Sequence, residues 1–145
     1  CACGLRGCWE QYGSGRVLDR WAQQHLVGST PVAKLLIAKA GSAEQVTGKT
    51  VSQLAADGIR EARECLATVG YNLGVGMASL AAVFDPEFFV VGGGLADNKE
   101  LLLEPMVQSF EEHLFGAAHR KVPPIKLALL GPDAALIGAA GLAPR

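Results

Sequence analysis

The sequence predicts an α/β fold, and three observations carry that prediction. Between residues 59 and 83 apolar side chains recur at three- and four-residue steps, the period of a long helix. Two short apolar runs, "FFVVGG" from Phe88 and "PPIKLALLG" from Pro123, are bounded by glycine or proline and suit buried strands. A helical segment, Lys99 to Leu114, lies between those runs, so strand and helix alternate.

The elements follow in order. Residues 1–14 form a Cys/Gly-rich knuckle. "GRVLDRWAQQHL" places Val17, Leu18, Trp21 and Leu26 at helical spacing, and Gly28 and Pro31 interrupt it. "TPVAKLLIAKAG" predicts a second helix with Pro31 in its first turn. "GSAEQVTGKT" is polar and loop-like. "TVSQLAADG" predicts a short helix with Thr50 as N-cap and Gly58 as its end. The long helix then carries Ile59, Ala62, Leu66, Val69, Leu73, Met77, Leu80 and Ala81 on its apolar stripe, and Asp85-Pro86 ends it. Gly70, Gly74 and Gly76 interrupt that helix at a cost of about 1 kcal/mol each against alanine. Either a neighbouring element packs closely there, or a ligand approaches. The last segment, "DAALIGAAGLA", predicts an Ala/Gly-rich helix with Asp133 near its start.

Composition narrows the function classes. In a chain of 145 residues with 50% hydrophobic and 19% charged residues, a packed core is expected. A net charge of −1 supplies no basic surplus for nucleic acid or an anionic membrane surface, and 6% aromatics disfavour base-stacking platforms. No signal peptide is evident, and the apolar stretch from Leu73 to Val83 reads as too short and Gly-rich to span a bilayer. Three of the four cysteines cluster at one end and Cys65 stands apart. That is a metal-site distribution, not a disulfide framework, and it suits a reducing cytoplasm.

The chemistry concentrates in two motifs. In "CACGLRGCWE", Cys1, Cys3 and Cys8 are soft donors on a tight loop, and Gly4 and Gly7 allow the chain to turn around an ion. Zinc is the expected metal; three reduced thiols in a turn, or a disulfide between two of them, is the other reading. Glu10 follows, placed either to accept hydrogen bonds from vicinal sugar hydroxyls or to complement a helix N-terminus. In "VVGGG", a strand runs into Gly92, Gly93 and Gly94, where backbone N–H groups can approach a phosphate or ribose; a tight strand-to-helix turn is the alternative. The histidines His25, His113 and His119 form no cluster, and no nucleophile–base arrangement or acidic pair stands out.

These pieces together resemble the ROK family of bacterial sugar kinases, notably glucokinases, and related transcriptional repressors. The family's CxCGxxGCxE motif is complete in "CACGLRGCWE", with a family-like Ser14 after it. "DPEFFVVGGGLA" and "GPDAALIGAAGLA" are similar to later family segments, so the resemblance covers residues 1–145 in order. It implies an actin/hexokinase-like (ribonuclease H-like) kinase lobe, incomplete at its N-terminus: the C-terminal, large lobe of a two-lobed enzyme, with a zinc/sugar-binding loop at 1–14 and a nucleotide-side Gly turn at 85–97. It further implies Cys1, Cys3 and Cys8 as ligands of a structural zinc, completed by an upstream histidine. Glu10 would bind the sugar, and Gly92, Gly93 and Gly94 would line the nucleotide. The phosphate loop and the general-base aspartate would lie upstream. The implied reaction is phosphoryl transfer from Mg-ATP, or polyphosphate as in some relatives, to the 6-hydroxyl of glucose or a related hexose. The implied partners are the N-terminal lobe and a second copy in a homodimer. The alternative within the family is the sugar-sensing domain of a repressor.

Overall fold

A computed structural model describes residues 1–142. Its elements are α1 (Glu10–Gly13), α2 (Arg16–Val27), α3 (Pro31–Ala40), α4 (Gly48–Ala56), α5 (Arg60–Phe84), β1 (Phe89–Val91), α6 (Glu100–His113), β2 (Ile125–Leu127) and α7 (Ala134–Gly141), with short 3-10 turns between them. The α/β expectation is met in a strongly helical form. Among the described residues the sheet has two strands, β1 and β2, parallel and in register Phe89↔Ile125, Val90↔Lys126 and Val91↔Leu127. A parallel pair needs a long crossover, and α6 supplies it.

Most helix boundaries fall where the sequence places them. Thr30 caps α3, its hydroxyl accepting from Ala33 N, with Pro31 at the first helical position. Asp85 ends α5 in the left-handed conformation, φ +44°, and Arg120 pairs with its carboxylate. Two expectations need correction. Thr50 is not the N-cap of α4. The cap is Thr47, and Thr50 is its partner in a capping box, with Thr47 N donating to Thr50 Oγ1 at 3.2 Å. The second strand is also shorter than "PPIKLALLG" suggests. Beyond Ala128, whose N–H reaches Val91 O at 2.8 Å, β1 has already turned away at its glycines, so Leu129 has no partner strand and lies fully exposed. The Ala143 end of the last predicted helix lies outside the described residues.

One core runs through the helices and onto the sheet. Leu18, Ala22, Leu36, Val51, Leu54, Ala62, Leu66 and Val69 join α2, α3, α4 and α5; Leu102, Met106 and Phe110 of α6 continue it, and Phe110 meets Phe89 of β1 edge-to-face at 5.6 Å. The whole of α5, longer than the Leu73–Val83 stretch, is long and apolar enough to cross a bilayer by length and composition alone. Its buried stripe, from Ala62 to Ala81, is instead packed in this core.

The glycines of α5 resolve in favour of close packing. A Cβ on Gly70 would stand 2.6 Å from Leu102 O and 2.8 Å from Pro105 Cγ; one on Gly74 would stand 2.7 Å from Phe110 N. The α6 backbone lies where those side chains would be. Helix propensity alone would reward Gly74→Ala by about 1 kcal/mol. Overpacking against backbone atoms costs about 1–3 kcal/mol and dominates, because a backbone cannot swing aside. Gly74→Ala is therefore expected to lower the urea midpoint of unfolding at unchanged slope. A raised midpoint would mean that α5 and α6 are not in this contact.

Candidate functional site

The cysteine loop folds on itself. Gly4 N donates to Cys1 O at 3.0 Å, and Gly4 and Gly7 hold φ of +84° and +76°, conformations that strain any residue with a Cβ. The three sulfurs lie within 4.8 Å of one another, Cys3 Sγ at 3.3 Å from Cys1 Sγ and 3.4 Å from Cys8 Sγ, and no disulfide joins them. Three soft donors converging on one point can hold a thiophilic ion. The Leu5 backbone, and then the Cys8 thiol, hold the Cys3 thiol below its ordinary pKa, which favours the ligating thiolate. Cys65 is different. It is buried on α5, and burial pushes its thiol up to about 11.

Trp9 fastens this loop to the core. Its Nε1 donates to Asn72 O at 2.8 Å, and its ring lies over Gly76, where no side chain interferes. The third α5 glycine thus receives an aromatic ring rather than a helix. Glu10 opens α1, is exposed, and pairs with Arg16 at 3.4 Å. Its negative charge works weakly against ionisation of the Cys3 thiol, less than the Leu5 backbone and Cys8 favour it.

One helical turn further on lies a cleft of ≈ 980 Å³. Three segments wall it: Gly13–Gly15 after α1, Thr47–Gln53 at the start of α4, and Gly92–Leu101 after β1. It therefore opens at the carboxyl end of β1, where ligands of α/β sheets bind. Gly92 and Gly94 line it. Gly93 does not, but its φ of +80° makes the turn between them. Asp19 ties the walls together by accepting from Gly48 N at 2.6 Å. At 1.5 Å of rise per residue, α1 puts Glu10 about 6 Å along the chain from this wall.

The comparisons with known proteins fit this arrangement. The model of the ROK family matches residues 1–145. This chain belongs to the ROK family. A glucokinase of Streptomyces coelicolor is 41% identical over 99% of this chain and 45% of its own length. The crystal structure of a ROK glucokinase from Streptomyces griseus, in complex with glucose and AMPPNP, superimposes with a TM-score of 0.86 at 41% identity, over 99% of this chain and 46% of that one. A ROK hexokinase from Thermus thermophilus gives 0.70 at 30% identity, over 97% and 41%. The fold is thus that of an actin/hexokinase-like sugar kinase, and the chain spans a little under half the length of these relatives.

Sequence reasoning placed the cysteines, Glu10, Ser14 and the glycine run. It missed Asp19, Lys49 and Asn98, which are far apart in sequence and meet only at the cleft. One local signal was available: Thr47 and Thr50 at capping-box spacing mark the α4 start that forms the wall.

The cysteines give a direct check. In the metal-free chain at about pH 8, an aromatic disulfide reagent should modify Cys1, Cys3 and Cys8 rapidly and Cys65 only on unfolding. Four fast thiols would contradict the burial of Cys65. Because burial raises its pKa from an ordinary 9.0 to about 11, Cys65 stabilises the fold below pH 9, and that contribution is lost as pH rises through 11.

Proposed function

We propose that this chain is the C-terminal, large-lobe part of an ATP-dependent glucokinase, phosphorylating glucose at the 6-hydroxyl. The observation that carries the reading is the placement of Glu10 one short helical turn from a cleft walled by Gly92 and Gly94. A sugar carboxylate and a nucleotide cleft at that spacing suit direct phosphoryl transfer, where catalysis is mostly positioning and charge stabilisation. The likeness to a glucokinase of known structure with glucose and AMPPNP supports the same assignment, and favours a kinase over the sugar-sensing domain of a repressor.

In this reading Glu10 exchanges its exposed pairing with Arg16 for two adjacent sugar hydroxyls, and the sugar 6-hydroxyl is directed toward the cleft. Gly92 and Gly94 let the nucleotide approach the backbone with no Cβ in the way. When Mg²⁺ accompanies ATP, it neutralises charge on the phosphates. Cys1, Cys3 and Cys8 hold a structural zinc, which their convergence and soft donor chemistry fit. The zinc fixes the loop from which Glu10 projects, and Trp9 anchors that loop to α5. The general base, the phosphate loop and a fourth zinc ligand belong to the N-terminal lobe. The whole enzyme is a cytoplasmic homodimer.

Three measurements test this. The chain alone should give no glucose phosphorylation in a coupled assay, and turnover above background would refute the division of labour between lobes. Metal analysis should find zinc in the chain, largely lost in Cys3→Ser; unchanged metal would remove the zinc assignment. In the enzyme joined to its N-terminal lobe, Glu10→Gln should weaken sugar binding by about one to two orders of magnitude, since a hydrogen bond to a charged group contributes about 1.5–3 kcal/mol. The KM for ATP and the zinc content should hold. An unchanged sugar KM would return Glu10 to a helix-end role.

A further inference from the structure

We propose that Arg20 is a positioning residue of the sugar site: its guanidinium holds Gln11 and thereby fixes where the Glu10 carboxylate stands. The inference rests on the reading of Glu10 as the sugar ligand, and deepens it by naming what holds that residue in place.

Helix α1 is a single turn, Glu10–Gly13. A helix of that length has little stability of its own, and its last carbonyls have no following turn to pair with. It must be held from outside, and it is held on both flanks of Glu10. On one side Trp9, itself in helical conformation at φ −54° and ψ −36°, donates to Asn72 O of α5 at 2.8 Å. On the other side Arg20 of α2 takes Gln11. Its Nη2 donates to Gln11 O at 2.6 Å, and its Nη1 donates to Gln11 Oε1 at 3.0 Å. Successive side chains of a helix point about 100° apart. Trp9 and Gln11 therefore diverge toward α5 and α2, and Glu10 points between them and is exposed. Its backbone is pinned from two helices, while its carboxylate stays accessible.

The base that carries Arg20 is firm. Leu18 and Ala22, two residues to either side on α2, are buried in the core beside Leu66 of α5. Arg16 and Arg20 lie one turn apart on α2 and reach neighbouring residues of α1, yet their bonds differ in kind. Arg16 makes one contact with Glu10, at 3.4 Å, and both side chains are more than half exposed, at 60% and 55%. A surface pair of this sort contributes little and can be displaced by a sugar. Arg20 uses both terminal nitrogens of a planar fork on two oxygens of one residue. A fork fixes direction as well as distance, which the single ammonium of a lysine does not. Arg20 thus holds the frame, and Arg16 occupies the carboxylate until the sugar arrives.

The test uses the enzyme joined to its N-terminal lobe, with glucose affinity followed by NMR titration, which also reads weak binding. Arg20→Met and Arg20→Lys should each weaken glucose binding about tenfold, short of the roughly hundredfold that a misplacement of about 1 Å can cost. Lysine keeps the charge and should not rescue. The KM for ATP, the zinc content and the Tm should hold, because Arg20 is exposed and its bonds add little to stability. Glu10→Ala should itself weaken glucose binding, and adding Arg20→Met to it should have no further effect, since a residue that acts through Glu10 has nothing left to position. Unchanged glucose affinity in Arg20→Met, full rescue by Arg20→Lys, or an equal loss with and without the Glu10 carboxylate overturns the inference and leaves the reading of Glu10 in place. A Tm or zinc content that falls together with the affinity assigns Arg20 to folding and overturns it as well. If Glu10→Ala alone leaves glucose affinity unchanged, the sugar assignment fails and this inference fails with it.

Discussion

Everything in this molecule hangs on how closely α5 and α6 approach. Gly70 and Gly74 remove two side chains from α5, and the α6 backbone at Leu102, Met106 and Phe110 fills the space. Two glycines in a helix interior sacrifice intrinsic propensity. The close contact returns more than it costs by burying Leu66, Val69, Leu102, Met106 and Phe110 in one core. Because α6 is the crossover between β1 and β2, fixing it against α5 also fixes the sheet. The glycine turn after β1 takes its place from that sheet.

The same helix positions the other half of the site. Gly76, on a different face of α5, leaves a seat for Trp9, whose indole N–H bonds to Asn72 O. The cysteine loop carries little hydrophobic surface of its own, and Leu5 is largely exposed. Trp9 is its tie to the core. α5 therefore serves as a common ruler: one set of glycines locates the β1 turn through α6, and another locates Glu10 through Trp9. Rigid support of this kind is what the proposed phosphoryl-transfer site would need, since small displacements of the reacting groups are costly.

Between these anchors the cleft is built from short-range devices. Asp19 on α2 accepts from the first N–H of α4, that of Gly48, the Thr47–Thr50 box completes that cap, and the buried Asn98 stiffens the turn before α6. Each satisfies a backbone group that would otherwise be unpaired at a helix end. Caps and cleft wall are the same residues. Among the described residues, the enclosed side-chain oxygen left over is Ser14 Oγ, which finds no partner in the fold.

The sequence by itself determined the local elements and the two motifs. Helical periodicity located α2, α3, α5 and α6, and the spacing of "CACGLRGCWE" brought Cys1, Cys3 and Cys8 together, because all three sit on one short loop whose glycines turn it. Such features depend on neighbours along the chain, and spacing records them. It determined less about ends and partners. The N-cap of α4 fell three residues from its expected place, since Thr47 and Thr50 are both capping residues and only the box geometry separates their roles. The second strand came out short because its length is set by β1, not by its own apolar run. Only the tertiary structure decided what Gly70, Gly74 and Gly76 are for, as a missing side chain carries no sign of what takes its place. It alone decided that Gly13–Gly15, Thr47–Gln53 and Gly92–Leu101 share one cleft, because those segments meet only after α5, α6 and the sheet have packed.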